Sequence, residues 1–390
     1  MDWEARGKSS ANGELSSILC VNGLSVSYSM RRSLSRSAIV NVSFELHAGE
    51  ILGVIGESGS GKSTLASSLL NLLPPGGIIQ RGSIVFGGRN ILDATAAELR
   101  TIRAQNIALI NQEPSLALHP TMRVRDQVDE VLAAHAYGSK KTRHERVREV
   151  LSCVFSREAE RIASSYPHQL SGGQRQRVLI AMALACGPSI IIADEATASL
   201  DSATQRKILL LFDELRQKFN TAVILITHNP ALLPGFADRL LVLYAGRVAE
   251  LGPAETVLHS PLHPYTRALL GCLPPSVTTP ASPQRKTKLR AITGESPGKG
   301  SFLPGCQFEP RCSERLDACR RREPVPELTN RILSQALPLA TWYEYAAALT
   351  DRGVGAAILE WKRSGSTGTG EGRRWHLAVD LCRKDPGIGR

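Results

Sequence analysis

Three stretches of this chain carry residue types at spacings that can do chemistry. Gly56-Glu57-Ser58-Gly59-Ser60-Gly61-Lys62-Ser63-Thr64 satisfies G-x-x-x-x-G-K-[ST], the phosphate-cradling loop. Its glycines let the backbone approach phosphate oxygens because no Cβ intervenes. Lys62 is placed to reach the β- and γ-phosphates of a nucleotide and Ser63 to offer its hydroxyl to Mg²⁺. Asp194-Glu195 follows the apolar run Ile190-Ile191-Ile192-Ala193. Two acids in that position are costly to bury unless a divalent cation compensates them. Asp194 is assigned to Mg²⁺, through water, because that ion takes few carboxylates and keeps several waters. Glu195 is assigned to polarise the attacking water as general base. In Leu170-Ser171-Gly172-Gly173-Gln174, Ser171 suits a helix N-cap and the glycines expose backbone N–H groups to an anion. Alone, that last stretch is also an ordinary turn.

The flanking sequence specifies how these stretches are held. Ile51-Leu52-Gly53-Val54-Ile55 is a short apolar run, a buried parallel strand by type. After the loop, Leu65, Ala66, Leu69, Leu70 and Leu73 recur at helical spacing up to Pro74-Pro75. The loop thus joins a strand end to a helix start, where the helix dipole favours an anion. Alternation at Leu24, Val26 and Tyr28, and at Val40, Val42, Phe44 and Leu46, predicts an antiparallel sheet with an exposed loop over Ser29–Ser37. A short strand pair around Gly82–Ile91 fits the same sheet. Residues 111–186 read as mostly helical, with surface helices over Arg125–His135 and Lys141–Phe155. Strands are predicted at Ser189–Asp194 and Ala222–Ile226, with a helix over Ser202–Phe219 capped by Asp201, then a hairpin over Leu240–Leu251. Strands separated by helices imply an α/β fold with a mainly parallel sheet.

With 390 residues and 42% hydrophobic content, the chain has room for one large domain and a smaller appendage. Its longest apolar run, Val178–Cys186, is far short of the roughly 18 residues that span a bilayer. The N-terminus lacks a secretory pattern, so a cytosolic chain is expected and its eight cysteines read as thiols or metal ligands. A net charge of +11 suits nucleic acid or an anionic membrane surface and does not choose between them.

Taken together, Gly56–Thr64, Gln112, Leu170–Gln174, Asp194-Glu195, Ser199-Leu200-Asp201 and His228 resemble, in order and spacing, the motif set of an ABC-transporter ATPase subunit. The likeness covers roughly residues 20–255, following a polar lead-in over 1–19. It implies a P-loop ABC ATPase domain: a mainly parallel sheet core, an antiparallel β subdomain, and a helical subdomain at about 113–186. It also implies a head-to-tail dimer with a second ATPase subunit. Ser171, Gly172, Gly173 and Gln174 of one chain would close on ATP held by Gly56, Glu57, Ser58, Gly59, Ser60, Gly61, Lys62, Ser63 and Thr64 of the other. Gln112 would link Mg²⁺ and the γ-phosphate to the helical subdomain, His228 would contact the γ-phosphate and orient the water, and Asp201 would couple the two sites. His228 alone, after a buried strand, would be uninformative. Tyr28 resembles the aromatic residue that stacks on adenine, although its alternation on a strand equally suits a core position. Ala196 departs from the family, whose members usually carry proline there.

Beyond the hairpin, Pro261-Leu262-His263-Pro264-Tyr265-Thr266-Arg267-Ala268-Leu269-Leu270 and Gly305–Cys312, with Glu57 and Tyr166–Gln169, resemble the oligopeptide/dipeptide importer ATPases. That places a C-terminal extension at 256–332 and a divergent tail at 333–390. It implies two membrane permease subunits, an extracytoplasmic substrate-binding protein, and a peripheral position on the cytoplasmic face of the inner membrane. Nickel and glutathione importers share these marks. In this subfamily the cysteines can hold a 4Fe–4S centre; here Cys306, Cys312 and Cys319 lack the expected fourth ligand nearby, and the next cysteine is Cys382. Free thiols are the alternative. A soluble ABC ATPase acting on nucleic acid is the other alternative. Such relatives usually carry two nucleotide domains or a long coiled-coil insertion, and this chain has one motif set, so no nucleic-acid partner is expected. An inactive regulatory subunit would not need the intact Lys62, Asp194, Glu195 and His228.

Overall fold

The computed structural model describes residues 17–29, 35–111, 117–198, 200–273, 291–295, 297 and 302–321, together with the backbone of 360–362 and 376–378. They fall into two compact units, one within Ser16–Ser301 and one from Phe302 onward.

The first unit opens on two long antiparallel strands, β1 (Ser17–Ser29) and β2 (Ser35–His47). They outrun the loop expected over Ser29–Ser37, because Ser29 still pairs with Ser35. Ladder hydrogen bonds need only backbone groups, so pairing continues past the last apolar residues. β3 (Ile51–Ile55) is buried along its whole length and leads through the phosphate loop to α1 (Lys62–Leu69). This helix stops well before Pro74, where the apolar spacing predicted its end. Asn71 adopts the left-handed conformation (φ 49°), and the N–H groups of Leu72 and Asn71 turn back to the carbonyls of Ser67 (2.8 Å) and Ser68 (2.9 Å). That is a Schellman closure, which needs no proline.

β4 (Gly77–Phe86) and β5 (Arg89–Asn90) complete an antiparallel sheet of order β2-β1-β4-β5. α2 (Ala96–Gln105) and β6 (Ile107–Ile110) follow, and neither is anticipated from sequence. α2 fully buries none of its residues and meets the core only through the partly buried Leu99 and Ile102, while β6 is four residues long. Among the described residues α3 (Val124–Ala134), α4 (Lys140–Phe155), α5 (Ala159–Ser164) and α6 (Gly172–Leu184) come next. The remaining elements are β7 (Ile190–Asp194), α7 (Ser202–Phe219), β8 (Ala222–Ile226), β9 (Arg239–Tyr244), β10 (Arg247–Pro253), α8 (Ala254–His259) and α9 (Pro264–Gly271).

The second sheet has the order β10-β9-β3-β8-β7-β6 and is parallel except for β10, which pairs antiparallel with β9. β3 lies inside it, flanked by β8 and β9, so its C-terminal end is fixed from both sides. One apolar core joins the sheets: Leu19, Val21, Ile39 and Phe44 meet Leu52, Val54, Ile192 and Ile224, with Leu65 and Leu69 of α1 among them. Each such buried side chain stabilises by about 1.5–3 kcal/mol, so α1 is anchored by its own apolar face. No helix among the described residues is long and apolar enough to cross a membrane.

In the second unit, residues 302–321 form a compact loop structure in which Cys306 N–H donates to the Cys319 carbonyl at 2.8 Å. β11 (Glu360–Lys362) and β12 (His376–Ala378), within the expected divergent tail, pair antiparallel.

His263 caps α9: its Nδ1 accepts the Tyr265 N–H at 3.0 Å, which requires that nitrogen to be unprotonated. Burial of the ring, then the nearby Arg267, pushes its pKa down to about 4. A histidine depressed below its unfolded value leaves stability intact above about pH 6.5, then loses it as pH falls towards the folded value. Between pH 7 and pH 5 this histidine is expected to cost the wild type about 1–2 kcal/mol relative to His263→Asn. Urea denaturation of both proteins at the two pH values checks it. Glu250, raised by burial, titrates in the opposite sense in both and drops out of the difference.

Candidate nucleotide site

β3 delivers Gly56 at its end, and the chain then wraps through Gly61 into α1. Gly61 stands at the helix N-cap with φ 103° and supplies no side-chain cap. A Cβ there would lie 2.6 Å from Ile39 Cγ2 and 2.9 Å from the Ala38 carbonyl, so both the torsion and the space require glycine. With no cap and no acid in the first turn, the leading N–H groups of α1 are left for an anion. Ser60 N–H closes a turn onto the Glu57 carbonyl at 3.1 Å. Lys62 bends back over the loop, its Nζ donating to the carbonyls of Gly56 (2.8 Å) and Glu57 (2.9 Å). Burial lowers the Lys62 pKa, while Glu195, Asp194 and Glu57 oppose the shift.

The β9–β10 hairpin supports the loop from behind. Its turn residues Ala245 (φ 46°) and Gly246 (φ 78°) are both left-handed, the type I′ geometry of two-residue hairpins. Gly246 N–H donates to the Ser60 carbonyl at 2.9 Å, and the Gly246 carbonyl accepts Val40 N–H at 2.8 Å. Glu57 N–H, on the other side, donates to the Tyr265 hydroxyl at 2.9 Å. The sequence marked Tyr265 only as part of a family segment and gave it no role. Its distance along the chain from Glu57 hides the contact.

Asp194 ends β7 facing this loop. Its Oδ1 is buried with no hydrogen-bond partner, and burial pushes its carboxyl pKa up against the Ser63 hydroxyl. An orphaned buried carboxylate oxygen beside a serine hydroxyl is what a hard divalent cation satisfies, so Ser63 and Asp194 fit Mg²⁺. Glu195 leaves the strand with φ 49°, a conformation that costs a non-glycine residue and recurs at functional sites. Its N–H donates to the Ile226 carbonyl at 3.0 Å, and its own carbonyl accepts Ala198 N–H at 3.0 Å. This turn aims the Glu195 carboxylate at His228, whose Nδ1 lies 3.3 Å from Oε2. His228 follows β8 and is 57% exposed, against 20% for Glu195. Tyr28 on β1 is half-buried, with its hydroxyl 3.4 Å from Thr64 Oγ1.

Lys62, Ser63, Asp194, Glu195 and His228 are therefore gathered at one end of the parallel sheet, with Tyr28 bordering the loop. Ser171, Gly172, Gly173 and Gln174 are placed differently. Ser171 caps α6 in a reciprocal box with Gln174, its Oγ accepting Gln174 N–H at 3.3 Å while Gln174 Oε1 accepts Ser171 N–H at 3.1 Å. A Cβ on Gly173 would lie 2.6 Å from Thr204 Cγ2, and one on Gly172 would lie 3.6 Å from Leu200 Cδ2. The start of α6 thus packs on the start of α7, where Asp201 accepts from Thr204 N–H (3.0 Å) and Thr204 Oγ1 (2.7 Å). Those two donors hold the Asp201 carboxyl below the usual range. Ser171 and Gly172 are exposed, turned outward rather than buried. Gln112 lies outside the described residues.

The iron–sulfur centre expected at the cysteines finds no support in the described residues. Among the described residues no group of three or more His, Cys, Asp or Glu side chains is arranged to hold a metal ion. Cys306 and Cys319 are buried, and burial pushes the Cys306 thiol up to about 11, with Cys319 and Cys312 near enough to add to the rise. Cys382 lies outside the described residues. The expected cluster is accordingly not carried further.

The family described as ABC transporter matches residues 39–198, and the one described as oligopeptide/dipeptide transporter, C-terminal region, matches residues 249–319. Over 289 residues the chain is 43% identical to the oligopeptide transport ATP-binding protein OppD of Salmonella typhimurium, covering 74% of this chain and 84% of that protein. The chain belongs to the ABC transporter ATP-binding proteins, in their oligopeptide/dipeptide branch. It is also 41% identical over 308 residues to the dipeptide transport ATP-binding protein DppD of Bacillus subtilis, covering 79% and 90% of the two chains. Among solved structures, a dimeric ATP-binding cassette in a post-hydrolysis state bound to ADP and Pi has a TM-score of 0.54 and 31% identity, covering 60% of this chain and 98% of that one. Membership of this ATPase family implies ATP with Mg²⁺, hydrolysis, and partnership with a second cassette and with permeases.

A buried carboxylate oxygen without a partner at Asp194 burdens the nucleotide-free protein. Asp194→Asn is expected to raise its unfolding free energy by about 1 kcal/mol, a few degrees at most, while abolishing the dependence of nucleotide binding on Mg²⁺. Thermal melts with and without Mg²⁺ and ATP read both effects. A variant no more stable than wild type that still responds to Mg²⁺ would remove Asp194 from the metal site.

Proposed function

We propose that this chain is the ATP-hydrolysing motor subunit of a membrane importer of di- and oligopeptides. The observation that carries the proposal is the convergence of Lys62, Asp194 and the Glu195–His228 pair on the phosphate loop. The names of the similar proteins, which are oligopeptide and dipeptide transport ATP-binding proteins, support the cargo.

In this reading the N–H groups at the start of α1 and the Lys62 ammonium bind the phosphates, and Tyr28 stacks on the adenine. Ser63 and Asp194, with Gln112, would hold Mg²⁺, which when bound would supply positive charge to offset that of the phosphates. Glu195 takes a proton from the attacking water while its oxygen bonds to the γ-phosphorus and the bridge to ADP breaks, releasing ADP and inorganic phosphate. His228 steadies the Glu195 carboxylate and contacts the γ-phosphate. Little covalent chemistry falls to the protein in such a transfer, so positioning and charge carry the rate.

The exposed start of α6 supports the partner role. Ser171–Gln174 would close on ATP bound by the second ATPase subunit, head to tail, with Asp201 next to it coupling the two sites. Closure on ATP and reopening after hydrolysis would drive two permease subunits from the cytoplasmic face, with an extracytoplasmic binding protein supplying the peptide. The motor domain would occupy 20–255, with its helical subdomain at about 113–186, and the importer-type extension 256–332.

Glu195→Gln is expected to bind MgATP but turn it over at least ~100-fold more slowly, the usual loss when a general base is removed. Single-turnover ATPase assays check this, and near-normal turnover would clear Glu195 of the role. For the cargo, uptake of labelled di- and oligopeptides is measured in cells carrying wild type or Lys62→Ala, with the other subunits intact. Uptake is expected to be abolished in the variant. Unchanged uptake at equal protein level would discard the peptide assignment.

A further inference from the structure

Tyr265 is fully buried and packs at a tilt against Tyr244, the last residue of β9, with ring centroids 4.4 Å apart and planes 48° from parallel. Its hydroxyl accepts the Glu57 N–H at 2.9 Å. That N–H belongs to the peptide unit whose carbonyl is Gly56 O, and Gly56 O accepts from Lys62 Nζ at 2.8 Å. One peptide plane is therefore gripped on both edges, by Lys62 on the loop side and by Tyr265 behind. The grip has work to do, because Gly56 has no Cβ to restrain rotation of that plane. A flipped plane would turn an N–H towards the ammonium and take away one of the two carbonyls that dock it.

The segment that carries Tyr265 is itself tied to the sheet. Glu250 on β10 accepts the N–H groups of Leu262 (2.9 Å) and His263 (3.1 Å). His263 Nδ1 then accepts Tyr265 N–H, setting the first turn of α9 with Pro264 inside it. Glu250, His263 and Tyr265 thus form a continuous relay from the edge strand to the second residue of the phosphate loop.

We propose that Tyr265 is a positioning residue for the nucleotide site, holding the Gly56–Glu57 peptide so that Lys62 and the loop are set for phosphate before ATP arrives. The C-terminal segment thereby tunes nucleotide affinity. This rests on the reading of the loop as an ATP site. The expected effect falls on binding more than on chemistry, because Glu195 and His228 sit on other elements and keep their own supports.

The test uses the full-length chain and compares wild type with Tyr265→Phe, which keeps the ring and removes only the hydroxyl. MgATP affinity is expected to weaken about fivefold to tenfold, the scale of one lost neutral hydrogen bond. Turnover at saturating ATP should change less than twofold, the nucleotide-free melting temperature should fall by no more than about 4 °C, the scale of one hydrogen bond, and the Glu57 amide should exchange faster with solvent. His263→Ala should weaken affinity in the same direction, and His263→Asn, which keeps a capping acceptor, should restore it. No MgATP binding by the wild-type chain would remove the ATP reading and the proposal with it. Equal affinities in wild type and Tyr265→Phe would overturn the role of Tyr265 alone. So would a loss of affinity that tracks a fall in nucleotide-free stability and is not restored by His263→Asn, since that marks the phenol as packing.

Discussion

The interaction on which the site depends is the return of the Lys62 ammonium onto the Gly56 and Glu57 carbonyls. Burial disfavours its charge, so the cation stays where it is only because carbonyl dipoles and the nearby acids Glu195, Asp194 and Glu57 favour it. Around it stand the features that keep those dipoles in place: the buried strand β3, the left-handed Gly61, the hairpin amide on Ser60, and the phenol on Glu57. A phosphate entering the loop meets a cation already desolvated and oriented. Binding energy is then not spent on assembling the site.

The same economy holds on the other wall. Glu195 is kept in a left-handed turn by two backbone hydrogen bonds, one of them to β8, the strand that leads to His228. The acid and the imidazole are thus brought together by adjacent strands of a single sheet. Asp194, one residue earlier, carries a carboxylate oxygen without a partner. The strain at Glu195 and the orphaned oxygen at Asp194 are both costs in the nucleotide-free protein. Both fall where the chemistry needs them.

The outward-turned α6 start complements this. Its Ser171–Gln174 box satisfies its own terminal amides within the chain and rests on α7 beside Asp201. Exposed and internally capped, this face is the one the proposed head-to-tail contact would use.

Much of the site was legible in the residues because each motif is local. Gly56–Thr64, Ser171–Gln174 and Asp194-Glu195 each work through backbone torsions and neighbours within a few positions. The strand and helix flanking the phosphate loop follow from an apolar run and a 3.6-residue period in the same way. What escaped was either without a local pattern or made by distant partners. α2 meets the core only through Leu99 and Ile102 and β6 is too short to declare itself; α1 ended early because Asn71 went left-handed, a choice apolar spacing does not encode. The three cysteines lie close enough in sequence to suggest a cluster, and only the fold could show that no metal-holding group forms among the described residues. Chain order and residue type determined the family and the nucleotide chemistry, since both rest on short-range geometry. Tertiary structure alone decided that His228 faces Glu195 and that Tyr265 holds Glu57, because those contacts exist only once strands and helices far apart in the chain have packed into one core.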